Sequence, residues 1–286
     1  MDSAHNKRTY VKNLKFYSTL IAVATLGTLS TSCAPKQEKQ IAASFKMTGS
    51  SSPATVAANE KPSFLRMLMQ EAQAFMPSTL RDSSGLTITL TNAWTVLKEV
   101  EFKTEEINGV EDSEIEVEFT GPYVIDLLAN APLILDTQLI AEKPIRRIKM
   151  KFHKAETLPS GSPAGLLNNS IYLTGTVGAN SFTLQMDDST EVQIAGPNGF
   201  EPRQGSEMLV EIQLANIFKQ INMSTITNGQ IINNASRHPG VNLCPSIDAS
   251  ANDIYTCMRK GLEKHANFGM DNDGDDDLDS VDSKVK

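Results

Sequence analysis

The densest chemistry in the sequence is a run of acids late in the chain. Asp271, Asp273, Asp275, Asp279 and Asp282 stand at positions 1, 3, 5, 9 and 12 of a twelve-residue stretch, with Asp277 at position 7. Side-chain oxygens at 1, 3, 5, 9 (there through a water) and 12, joined by the backbone carbonyl at 7, suit calcium, which takes about six to eight oxygen ligands. Leu278, at position 8, is where such a loop turns an apolar side chain inward. Position 6 normally holds glycine and here is Asp276. A non-glycine residue in left-handed backbone costs about 1–2 kcal/mol. The competing reading is a solvated acidic tail that aids solubility. Calcium is the expected metal, and in an exported protein only weak affinity, on the order of 10⁻⁴–10⁻³ M, is required.

The spacing resembles dockerin and thrombospondin type-3 calcium loops, which often end in Asp. No other catalytic or metal motif stands out. The histidines His5, His153, His238 and His265 share no metal-ligand spacing, which argues against zinc. Phosphate-binding glycine loops and a nucleophile elbow are missing from the sequence, and Gly161-Ser162-Pro163-Ala164-Gly165 has the wrong spacing for one.

The three cysteines, Cys33, Cys244 and Cys257, bring in the start of the chain. Lys7, Arg8, Lys12 and Lys15 precede an apolar run from Phe16 to Leu29, then Ser30-Thr31-Ser32-Cys33. A basic segment, a short apolar segment and small residues make a secretory signal. The run is shorter than the roughly 20 residues that span a bilayer. The segment resembles a bacterial lipoprotein signal, with Thr31 and Ser32 in the small positions and Leu29 one place early. That resemblance implies removal of residues 1–32 and a diacylglycerol and N-acyl lipid on Cys33. The expected location is therefore the cell envelope, lipid-anchored in the outer membrane and facing the periplasm or cell surface. With Cys33 lipidated, Cys244 and Cys257 remain as a pair, which an oxidising compartment allows to join; two free thiols are the alternative.

The elements that position these residues are read from hydropathy. Residues 33–62 are rich in Ser, Ala, Lys and Gln and read as a flexible tether. Phe64, Leu65, Leu68, Met69, Ala72, Phe75 and Met76 recur at helical spacing within a helix-and-linker segment, 63–84. From Gly85 the period becomes two. Leu86, Ile88 and Leu90 alternate with threonines, Val100 and Phe102 with charged residues, and Ile115, Val117 and Phe119 with glutamates. Further strands follow at Tyr123 to Leu128, Ile145 to Phe152, Ile171 to Val177, Ser181 to Met186, Glu191 to Ile194 and Met208 to Leu214. Turn signals stand at Asn108-Gly109, Gly121-Pro122, Pro159 to Gly165 and Gly196 to Gly199. Many short strands at this spacing predict a mainly β protein, an antiparallel β-sandwich of immunoglobulin or transthyretin type with short flanking helices. The sandwich is expected over 85–221, a disulfide loop and C-terminal helix over 222–268, and the acidic tail over 269–286. Trp94 is expected at a strand end.

"LTITLTNAW", "VLKEVEFK", "IEVEFTGPYVIDLLAN" and "IRRIKMKF" resemble successive blocks of the bacterial lipoprotein family called domain of unknown function 4382. Ile125-Asp126-Leu127-Leu128 and Arg147-Ile148 fit its pattern, while Asn92 and Trp94 depart from it. The likeness runs from Gly85 to Ile221. It implies a β-sandwich on a lipid anchor and no known reaction.

Charge excludes one partner class. The chain carries 26 Lys+Arg against 34 Asp+Glu, a net of −8, without the basic footprint that nucleic acid requires. The expectation is a non-enzymatic, membrane-anchored binding or assembly module for an envelope protein or glycan. The alternative is an envelope hydrolase acting on glycan or ester bonds through a site assembled in space.

Overall fold

The computed structural model describes residues 39–50, 78–104, 116–278 and 281–285. Among these lie thirteen strands and two α-helices. In chain order the strands are β1 (Gln40–Ser50), β2 (Ser78–Arg81), β3 (Thr87–Thr104), β4 (Glu116–Asp126), β5 (Leu133–Ala141), β6 (Ile145–Phe152), β7 (Ile171–Val177), β8 (Asn180–Met186), β9 (Glu191–Phe200), β10 (Glu207–Gln213), β11 (Gln230–Ile232), β12 (Ala266–Asp271) and β13 (Ser283–Lys284). The helices are α1 (Leu214–Phe218) and α2 (Ile254–His265).

The strands form two sheets. One has the order β13-β12-β10-β1-β5. The other runs β11-β8-β7-β3-β6-β9, with β2 and β4 paired to β3. Alternation drives the inner faces together. Ile41, Ala43, Phe45 and Met47 of β1 and Met208, Val210 and Ile212 of β10 are buried in the same core as Phe102, Phe119 and Ile148 of the second sheet. Phe45 bridges the layers, with its ring 4.9 Å from Phe102 and 5.2 Å from Phe119. Phe268 stacks on Phe102 at 5.0 Å and meets Phe200 at 5.1 Å. Full burial of each such side chain contributes about 1.5–3 kcal/mol. The protein is thus a mainly β, two-sheet sandwich-like fold, as the period-two pattern predicts.

Several expectations need correction. Residues 40–50, assigned to the tether, are β1, which lies between β10 and β5. Small residues stand on both faces, Ala43 inward and Ala42 outward, so composition hid the period. The sheets reach beyond 85–221 in both directions. Residues 78–81, assigned to a linker, pair with β3, and β12 and β13 add the acidic tail to the first sheet. The arrangement is not purely antiparallel either: β1–β10 and β8–β11 are parallel pairs. The expected helix at 64–76, the signal segment, Cys33 and Asn108-Gly109 lie outside the described residues.

Two expected turns are bulges. In β4, Leu97 opposes Tyr123 and Glu99 opposes Thr120, so Gly121 and Pro122 face Lys98 alone. A Cβ on Gly121 would lie 2.5 Å from the Leu97 carbonyl oxygen, which explains the glycine. Residues 196–199 likewise bulge within β9 opposite Arg146. The expected strands around Ile88 and Val100 are one continuous β3, with register shifts at Leu90/Asn92 and Leu97/Glu99. Trp94 lies inside it and packs against a small second cluster of Val96, Ala155 and Leu166. β5 had no sequence signal, because this edge strand leaves Ile134 and Leu139 exposed and lacks alternation.

Asp253 caps α2 by accepting from the Thr256 amide at 2.6 Å. Ile254, Cys257, Met258 and Leu262 face the core. Cys244 and Cys257 form a disulfide that ties the helix to the preceding loop, with Cα atoms 5.9 Å apart.

Candidate metal centre

Antiparallel pairing of β10 with β12 sets Glu207 opposite Asp271, the last residue of β12. The chain then makes the acidic loop and returns as β13, with Ser283 opposite Met270 and Lys284 opposite Gly269. The loop therefore closes a hairpin on the first sheet. Leu278 is buried at 1 % exposure, over Gly269, where an added Cβ would approach its Cδ2 to 3.1 Å. Lys284 Nζ donates to the Leu278 carbonyl at 2.7 Å. Closure of the hairpin and burial of position 8 shape the loop together.

Asp271 organises the turn. Its Oδ1 accepts from the Gly274 amide at 2.7 Å and its Oδ2 from the Asp276 amide at 3.0 Å. Asp276 adopts φ 65°, the left-handed geometry expected at position 6. Asp271, Asp273 and Asp275 each place a carboxylate oxygen within 4.8 Å of the others. Each carboxylate oxygen has two lone pairs, so Asp271 can serve a cation while accepting from the backbone. An all-oxygen, acidic donor set suits a hard cation such as calcium better than zinc or copper. These three residues fit the expected metal.

The remaining expected ligands fare differently. Asp282 Oδ1 accepts from the Asn272 amide at 2.8 Å, and Asn272 Nδ2 donates to the Val281 carbonyl at 3.0 Å. These bonds hold Asp282 at the base of the hairpin, next to the start of β13. The Asp277 side chain is exposed, and its amide donates to Asp275 Oδ1 at 3.3 Å. Asp279 lies outside the described residues.

Sequence reasoning missed two participants, Glu207 and Lys46, and gave Asp276 no ligand role. Glu207, Asp271 and Asp276 form a second carboxylate cluster, with oxygens again within 4.8 Å. Lys46, on the outward face of β1, contacts Glu207 Oε2 at 2.6 Å and Asp276 Oδ1 at 3.1 Å. Its side chain is only 14 % exposed. Burial acts to lower the ammonium pKa, but the two carboxylates outweigh it and hold it above the ordinary lysine value. Only Asp276, at a glycine position, hinted at this arrangement; the partners come from distant strands. Farther along the same face, Glu211 is buried. Its carboxyl is pushed up by burial, against hydrogen bonds from Gln213, Ser50 and Asn267 and the charge of Lys284.

The histidines are dispersed. His153 Nε2 lies 3.6 Å from Glu156, His238 Nε2 2.9 Å from Thr225 Oγ1, and His265 Nε2 2.6 Å from Gln220. Burial lowers the His238 pKa. Comparison with protein families, with characterised proteins and with solved structures finds no match to this chain.

Proposed function

We propose that this protein is a lipid-anchored, non-enzymatic module of the cell envelope, held by an acylated Cys33, whose Asp271–Asp282 loop takes a calcium ion. The module binds an envelope protein or glycan, and calcium stiffens the loop that flanks its outer sheet face. The observation that carries the calcium reading is the convergence of Asp271, Asp273 and Asp275 within 4.8 Å. The Cys244–Cys257 disulfide supports export, because such bonds persist in oxidising compartments.

Calorimetric titration of the purified protein with calcium tests this directly. The expected result is one saturable site with affinity on the order of 10⁻⁴–10⁻³ M, abolished in the Asp273→Ala/Asp275→Ala double variant. A flat titration at millimolar calcium sinks the reading. Affinity capture from cross-linked cells, with calcium and with chelator, then tests whether the loop belongs to the contact.

A further inference from the structure

A cavity of about 550 Å³ lies between the edge strand β2 with its following turn and helix α1. Its walls include Leu80, Arg81, Ser83, Gly85 and Lys219. The other crevices described, beside Phe102 and beside Phe152, hold only about 10 Å³ each. A volume in the range of roughly 300–1,000 Å³ is that of a small-molecule site.

The charges around the cavity are unequal in what remains to them. Asp82, the acid in its wall, is 3 % exposed and already committed. It accepts from the Ser84 amide and hydroxyl, from the Leu86 amide at 2.7 Å and from the Met223 amide at 2.9 Å. These bonds pin the β2–β3 turn to the segment after α1 and consume the carboxylate. Arg81 spends one donor, with Nη1 reaching the Gly85 carbonyl at 2.9 Å. Neither Arg81 nor Lys219 is ion-paired to a carboxylate among the described residues. The cavity therefore offers unspent cationic donors, the Ser83 hydroxyl and the aliphatic stems of Arg81 and Lys219.

We propose that this cleft binds a small acidic saccharide. Its carboxylate or phosphate sits between Arg81 and Lys219, where charge-assisted hydrogen bonds are strongest. The C–H face of its ring lies along the two aliphatic stems, and Ser83 takes a ring hydroxyl. The site goes beyond the calcium reading and does not depend on it, so a flat calcium titration leaves it standing.

The test is a titration of the isotope-labelled protein, followed by amide chemical shifts, with three probes: a di-uronic acid, a hexose phosphate and an uncharged disaccharide. The expected result is saturable shifts at Ser83, Gly85 and Lys219 with at least one acidic probe, and none with the uncharged one. Arg81→Gln and Lys219→Met each weaken binding about tenfold, and raised salt weakens it further. Both side chains are exposed, so the variants should melt with the parent; the two serve as independent checks should one misfold. Whether the uronic acid or the phosphate binds decides the source of the anion. Saturation by neither acid, equal binding of the uncharged sugar, or unchanged affinity in both variants overturns the proposal.

Discussion

Lys46 and Asp276 supply the sharpest test of how the acidic loop is held. Asp276 stands in left-handed backbone at φ 65°, where glycine is free of strain and Asn or Asp is tolerated. Its ion pair with Lys46 at 3.1 Å offsets part of that cost. The pair is asymmetric, with the lysine 14 % and the aspartate 39 % exposed. Solvent screening limits exposed pairs to about 0.2–1 kcal/mol, and partial burial of the lysine places this one near the top of that range. A double-mutant cycle of Lys46→Met and Asp276→Asn, in chelator at low salt, should therefore give a coupling energy of about 1 kcal/mol by urea unfolding. Asn tolerates the backbone angle, so the cycle isolates charge. Lys46→Met alone should cost more than Asp276→Asn, because it also strands Glu207, 2.6 Å away. For a chain of this size about 1 kcal/mol lowers Tm by roughly 2–4 °C. Salt at 1 M, where the Debye length is about 3 Å, should shrink the coupling. Additive effects within about 0.3 kcal/mol at low salt would refute the view that the pair fastens the loop to β1.

Three other outcomes follow from the same geometry. If the loop takes calcium, Lys46→Met should tighten binding several-fold, because it removes a positive charge that contacts Asp276 of the same loop and repels a divalent ion; calorimetry showing equal or weaker affinity would contradict this. Glu211 has a folded pKa raised by burial, so the native state holds its proton over a window in which the unfolded chain has lost it, and stability falls as pH rises from the ordinary carboxylate value through the raised one. Glu211→Gln should accordingly gain on the parent in Tm as pH rises above the ordinary carboxylate value, and an offset that does not change with pH would count against the buried-charge argument. Replacing Cys244 and Cys257 together by Ala opens a loop of 13 residues' separation, for which loop-closure entropy predicts a loss of about 3 kcal/mol, measurable by denaturant unfolding; an unchanged midpoint would show that the packing of α2 carries the helix alone.

Legibility in the sequence tracked the range of the interactions involved. Alternation at Ile88 and Leu90, Ile145 to Phe152 and Ile171 to Val177 is a property of neighbours along the chain, and it identified a two-layer β protein before any contact was known. The α2 helix was equally local, with Asp253 at its cap and four apolar residues on one face. The loop spacing from Asp271 to Asp275 is local too, and those three carboxylates converge. Strand β5 was illegible because its apolar residues do not alternate with polar ones and Leu133, Ile134 and Leu139 stay exposed.

Sequence by itself therefore determined the fold class, the cysteine pair as a candidate bridge and the alternate spacing of Asp271, Asp273 and Asp275, since each depends on spacing within a few residues or on a simple count. Tertiary structure alone decided that residues 40–50 form a central strand, that Gly121-Pro122 bulges where a turn was expected, and that Asp282 accepts from the Asn272 amide. It also decided that Lys46 and Glu207 meet Asp276. They come from strands paired across more than 160 positions, and a register set by side chains packing through two sheets leaves no trace in the local order of residues.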